Sequence, residues 1–97
     1  MRKRRPAAVI GLDAIGRLPL RIIVPITEWD VKYTRYPWIV HIKPNKRNRL
    51  SRESGADCFQ LKSFSVERFI ERIGTLDSAD LDGIAAAIAL CVGFDPH

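Results

Sequence analysis

The sequence predicts a mainly β fold closed by a C-terminal helix, in one domain over residues 1–97. Three observations carry this. Several short stretches alternate apolar and polar side chains with the period of a strand. The connections between them are short and punctuated by glycine and proline. Only the last stretch changes to helical spacing. Antiparallel-type strands in this order suggest a small, strongly curved sheet or a partly open barrel.

The first strand is expected at residues 6–10, entered directly from the basic run Arg2 to Arg5. Residues 11–19 read as a loop, with Gly16 and Pro19 as punctuation. The second strand is the clearest. Leu20, Ile22, Val24 and Ile26 share one face, and Arg21, Ile23 and Thr27 the other. Pro25 cannot donate to a ladder, so regular pairing should end there and deliver Thr27 to a rim. Thr27 could equally just close a core strand.

Residues 28–37 mix Trp29, Tyr33 and Tyr36 with Lys32 and Arg35. Interleaved aromatic and cationic side chains can stack on bases and hold phosphates. Aromatics pinning the loop to the core are the alternative. A third strand at 38–43 puts Trp38, Val40 and Ile42 on one face, and Ile39, His41 and Lys43 on the other. Pro44 stops it, and residues 45–53 form a polar, basic loop. Ser54-Gly55 turns the chain into a fourth strand at 56–62, with Asp57, Phe59 and Leu61 on one face.

Residues 65–68 suggest a helical turn. Residues 69–75 fit a fifth strand, a short amphipathic helix being the competing assignment. Asp77 or Ser78 then caps a helix to about Val92. Leu81, Ile84, Ala85, Ile88, Cys91 and Val92 form its apolar stripe, and Gly93 stops it.

Composition narrows the function. Apolar residues make up 46% of the chain, which suits a globular protein. No apolar run approaches the roughly 20 residues that span a bilayer. The basic start lacks the apolar segment of a signal peptide, so a cytoplasmic protein is expected. Cys58 and Cys91 lie in apolar contexts and read as reduced core thiols. No spacing suggests a metal site, and His41 and His97 are isolated. Sixteen Lys and Arg against eleven Asp and Glu give a net charge of +5. The excess clusters at the N-terminus and at Lys43, Lys46, Arg47, Arg49 and Arg52. Such clusters attract polyanions, nucleic acid first. A solvated loop and a basic terminus explain the same charges equally well.

An ordered set of short motifs adds to this. Arg5-Pro6 precedes a strand. Val24-Pro25-Ile26-Thr27 ends another, and Tyr36-Pro37 precedes the next. Ser54-Gly55, then Gln60-Leu61-Lys62-Ser63, then a Gly74 segment leading to the helix complete it. This set resembles the MazF/PemK family of toxin endoribonucleases. The resemblance implies an SH3-like small barrel of the MazF/PemK/CcdB type and a homodimer. It implies cleavage of single-stranded RNA without metal or other cofactor, and control by a cognate antitoxin lying across the substrate groove. In this family an Arg before Pro and the Thr of the Val-Pro-x-Thr segment meet at the scissile phosphate; here these are Arg5 and Thr27. Arg4, Lys32, Arg35, Lys43, Lys46, Arg47, Arg49 and Lys62 are the expected RNA-backbone contacts. Bases would stack on Tyr33 or Trp29.

The chain also departs from the family. It starts four residues before Arg5, without the family's first strand and Gly-Ser-Glu-type loop. An N-terminally shortened protein, or a start read at an internal Met, is therefore expected, with a neighbouring sheet edge exposed. Phe59 stands where some relatives carry a carboxylate that serves as base. Asp57 is the nearest carboxylate and a possible base, or it pairs with a basic neighbour. The alternative function is a catalytically impaired relative that dimerises and binds antitoxin or RNA without cutting. A small basic barrel binding nucleic acid in an unrelated role is the third.

Overall fold

The computed structural model describes residues 5–11, 20–69 and 71–93. Among these, five strands precede one helix: β1 (Ala7–Ile10), β2 (Leu20–Glu28), β3 (Ile39–Ile42), β4 (Ser54–Asp57), β5 (Lys62–Ser65) and α1 (Ser78–Cys91). Short 3-10 turns occupy Val31–Arg35, Cys58–Gln60 and Val66–Arg68. The expected 11–19 loop lies outside the described residues after Gly11.

β2 organises the sheet. Its first half pairs antiparallel with β1 on one edge and β5 on the other. Its second half pairs with β4, which pairs with β3. The strand order is β1-β2-β4-β3, with β5 also on β2, and the sheet does not close. Pro25 changes the strand's partner instead of ending it. β5 is paired up to Lys62 opposite Ile23, and β4 takes over on the same edge at Ile26 opposite Ala56, while β1 runs along the other edge to Ala7 opposite Pro25. The Ile26 N–H donates to Pro6 O on the β1 side at 3.0 Å. The Pro25 nitrogen therefore faces the other edge, at the junction of β5 and β4, where no ladder bond is required of it.

Two expectations are corrected. The single strand at 56–62 is two strands split by a turn. Cys58 N–H bonds to Trp38 O at 3.0 Å, and Asp57 Oδ1 accepts from Phe59 N–H at 3.2 Å. These bonds break the alternation, so Phe59 does not share the Asp57 face. Residues 71–75, expected in a fifth strand or short helix, form neither. Phe69 is anchored by stacking on Phe64 with ring centres 5.5 Å apart. Thr75 N–H donates to Arg47 O at 2.8 Å. Gly74 lies so close to the loop that a Cβ would sit 2.6 Å from Asn48 O. The basic loop thus claims this segment before a sheet edge can.

The main core lies on the helix side of the sheet, with Ile23 buried separately on the other face. Ala8, Val24, Ile26, Ile42, Ala56 and Cys58 meet Ile84 and Ala87 of α1. A fully buried Val or Ile contributes roughly 1.5–3 kcal/mol, so Val24, Ile42 and Ile84 are principal anchors. The helix is turned further toward β3 than its sequence stripe implied, with Val40 a van der Waals contact from the Gly83 position. Leu81, Ala85 and Val92 remain exposed. Asp77 sits at the N-cap, its carbonyl accepting from Leu81 N–H at 3.0 Å but its side chain making no cap bond; the carboxylate instead meets Asn45 Nδ2 at 3.1 Å and Arg47 at 3.3 Å. Both cysteines are free thiols. Burial first, then the neighbouring Cys91 and Asp57, raises Cys58 from the ordinary 9.0 to about 11. Among the described residues no helix covers the opposite face of the sheet, and the polar chemistry gathers there.

Candidate nucleic-acid interface

Register decides which side chains share the outer face. Ala7 opposes Pro25 and Ala8 opposes Val24. Continuing outward, Pro6 falls opposite Ile26, which its hydrogen bond bears out. One step further puts Arg5 opposite Thr27. Pro6 favours an extended conformation at Arg5, so the ladder direction holds. Since Ile26 and Pro6 form the hydrogen-bonded pair, Arg5 and Thr27 occupy a non-hydrogen-bonded position, where Cα atoms are about 4.5 Å apart and side chains closest. Both residues are exposed.

On its other side Thr27 pairs with Gly55, and Gly55 with His41. One row thus crosses the outer face: Arg5, Thr27, Gly55, His41. Nothing in the sequence pattern pointed to His41 as a neighbour of this pair, because strand order cannot be read from alternation alone. His41 is not isolated. Its ring stacks on Trp29, with centres 4.0 Å apart and planes within 7°. Its Nε2 lies 2.9 Å from Glu53 Oε1. Gly55 makes this packing possible, since a Cβ there would meet Ile39 Cγ2 at 2.8 Å and Trp29 Cε3 at 3.3 Å.

Asp57 stands on the same face, two residues from Gly55, at the diagonal position to Thr27 that places Cα atoms about 7–8 Å apart. It does not pair with a basic neighbour in any described contact. Its Oδ2 accepts from Gln60 Nε2 at 2.7 Å, and its Oδ1 caps the following turn.

The expected backbone contacts divide. Lys43 and Lys62 fall on the outer face by register, Lys62 opposite Ile23. Lys32 and Arg35 lie on the 3-10 turn capped by Asp30. Tyr33 of this turn meets Trp29 edge-on at 5.6 Å. Aromatic contact continues from Tyr33 through Tyr36 and Trp38 to Phe59. Lys46 and Arg49 are exposed on the loop beyond Lys43. Arg47 is brought to Asp77 at the start of the helix instead. Arg4 lies outside the described residues. Among the described residues, no three or more His, Cys, Asp or Glu side chains gather as metal ligands. No described helix is long and apolar enough to cross a membrane.

The family described as PemK-like, MazF-like toxin of type II toxin–antitoxin system matches residues 1–92. The chain belongs to this family. Its fold is that of solved MazF structures. The Mycobacterium tuberculosis toxin MazF-mt6 superimposes with a TM-score of 0.79 at 20% identity, covering 95% of this chain and 89% of that one. An endoribonuclease in complex with its cognate antitoxin, from a mycobacterial species, gives 0.80 at 15% identity over 96% and 84%. The MazE–MazF complex of Deinococcus radiodurans gives 0.75 at 19% identity over 95% and 84%. No curated protein sequence matches the chain. These likenesses support the antiparallel sheet with its C-terminal helix, as read from the sequence.

Proposed function

We propose that this chain is the toxin of a type II toxin–antitoxin pair, acts in the cytoplasm as a homodimer, and cleaves single-stranded RNA without a metal. The reading is supported by the β1–β2 register, which runs to Ala7 opposite Pro25 and, continued past the Ile26–Pro6 hydrogen bond, would set Arg5 opposite Thr27 on an exposed sheet face.

The RNA's own 2′-hydroxyl attacks the adjacent phosphorus, giving a 2′,3′-cyclic phosphate and a 5′-hydroxyl. Charge accumulates on the phosphoryl oxygens in the transition state. The planar fork of Arg5 donates two parallel hydrogen bonds to such oxygens. The Thr27 hydroxyl adds a third donor. Lys43 and Lys62 on the same face, with Lys32, Arg35, Lys46 and Arg49 around it, attract the backbone and supply affinity more than sequence choice. Trp29 and Tyr33 offer rings for unpaired bases. A cognate antitoxin covering this face would silence it, as the toxin–antitoxin complexes among the structural neighbours suggest.

The test compares the chain with Arg5→Ala and Thr27→Ala on mixed-sequence single-stranded RNA in EDTA. Loss of one transition-state donor costs roughly 10²–10³-fold in rate, so Thr27→Ala should fall by that much, and Arg5→Ala by at least as much. Both variants should stay folded, since neither side chain is buried. Full activity in either variant would sink the mechanism.

A further inference from the structure

The cleavage needs a group to accept the proton of the 2′-hydroxyl. Arg5 cannot, since a guanidinium keeps its proton throughout the working pH range. Asp57 is committed to the Cys58–Gln60 turn through both carboxylate oxygens. His41, at the far end of the Arg5–Thr27–Gly55 row, has the arrangement of an oriented base. A carboxylate accepts only, so Glu53 receives the Nε2 proton and leaves Nδ1 as the lone-pair nitrogen. The Trp29 ring fixes the imidazole plane. The side chain is still 34% exposed.

The spacing suits a nucleotide. Two inter-strand steps of about 4.8 Å separate the Thr27 and His41 backbones by roughly 10 Å. Gly55 has no side chain of its own between them, and the benzo edge of Trp29 packs over it, 3.3 Å from where a Cβ would sit. A ribose and its 3′-phosphate spanning Thr27 and His41 would pass over this edge.

We infer that His41 is the general base of the RNA cleavage and that Glu53 is the residue positioning it. The inference rests on the RNA-cleaving reading above. Nδ1 takes the 2′-hydroxyl proton as the 2′-oxygen bonds to phosphorus. The bond from phosphorus to the 5′-oxygen breaks, and that oxygen takes a proton from water. The imidazolium then returns its proton to solvent. Glu53 and Asp57 face the ring from the β4 side. Lys43 faces it from β3, and Arg5 stands at the opposite end of the row. Lys32 lies on the turn whose Tyr33 touches Trp29.

The test is the pH dependence of cleavage in EDTA, from about pH 5 to pH 8. The wild-type rate should rise with pH through that range. His41→Gln should lose roughly 10²–10⁴-fold and lose this rising limb, while binding a 2′-deoxy oligonucleotide as before. Glu53→Gln should lower kcat about tenfold with KM unchanged. A His41→Gln chain that keeps the limb, even at a lower rate, reduces His41 to a support for Trp29 and overturns the inference. Disappearance of the limb in Asp57→Asn instead assigns the base to Asp57, with the same consequence. If His41→Gln does not fold, Glu53→Gln decides: an unchanged kcat overturns the inference. A folded wild type that cuts no RNA overturns the RNA-cleaving reading itself, and the base with it.

Discussion

Gly55 concentrates more of the site than any other single residue. It is the row position between Thr27 and His41, and Trp29 and Ile39 both lie against it. Gly55→Ala should destabilise the fold by about 1–3 kcal/mol through overpacking, visible as a lower Tm. Displacing Trp29 should also weaken RNA binding. Cys58 makes a second prediction at this scale. Its folded thiol ionises near 11, whereas an unfolded thiol ionises near the ordinary value. Between those values the unfolded chain releases a proton that the folded chain keeps, so stability falls as pH rises. The contribution is whole below the ordinary value and lost as pH passes about 11. Cys58→Ala should be less stable than wild type at neutral pH because it opens a cavity. The Tm gap should narrow above pH 9.0 and close toward about 11.

Among the elements, the loop between β3 and β4 is held by one buried side chain. Asn48 Oδ1 accepts from Asn45 N–H and Leu50 N–H at 3.0 Å, and its Nδ2 donates to Lys43 O at 2.9 Å. Asn48→Ala leaves those backbone groups without it. At about 1 kcal/mol per bond, a loss of roughly 2–3 kcal/mol is expected in denaturant titration. The loop's basic sequence showed its charge but not this frame, and Asn48 looked like one more solvated residue. β2, β3 and α1 were legible because period-two and helical patterns are local properties. The strand at 56–62 was not, because its break depends on Asp57 bonding Phe59 and Cys58 bonding Trp38. The segment at 71–75 failed for the same reason: its partners lie in the 45–48 loop, far away in sequence.

At the level of the whole molecule, a net charge of +5 and a helix on one face only leave the other face to a polyanion. RNA affinity should therefore fall steeply with salt, with a slope of about −0.7 in the logarithms for each single-strand phosphate engaged. Lys43→Ala should flatten that slope by about 0.7. Arg47→Ala should flatten it less, because Arg47 is drawn to Asp77. The proposed pair, Arg5 and Thr27, was taken from the family's motifs. Their company was not: His41 reached the row through the β2–β4–β3 order, which alternation does not encode. Arg5 and Thr27, as the proposed phosphate-binding pair, are tested by cleavage of single-stranded RNA in EDTA by the chain and by Thr27→Ala, with 5′-end analysis of the products. Cutting with 5′-hydroxyl ends is expected from the first and a roughly 10²–10³-fold loss in the second. Equal cutting by both, or products with 5′-phosphate ends, would contradict this proposal.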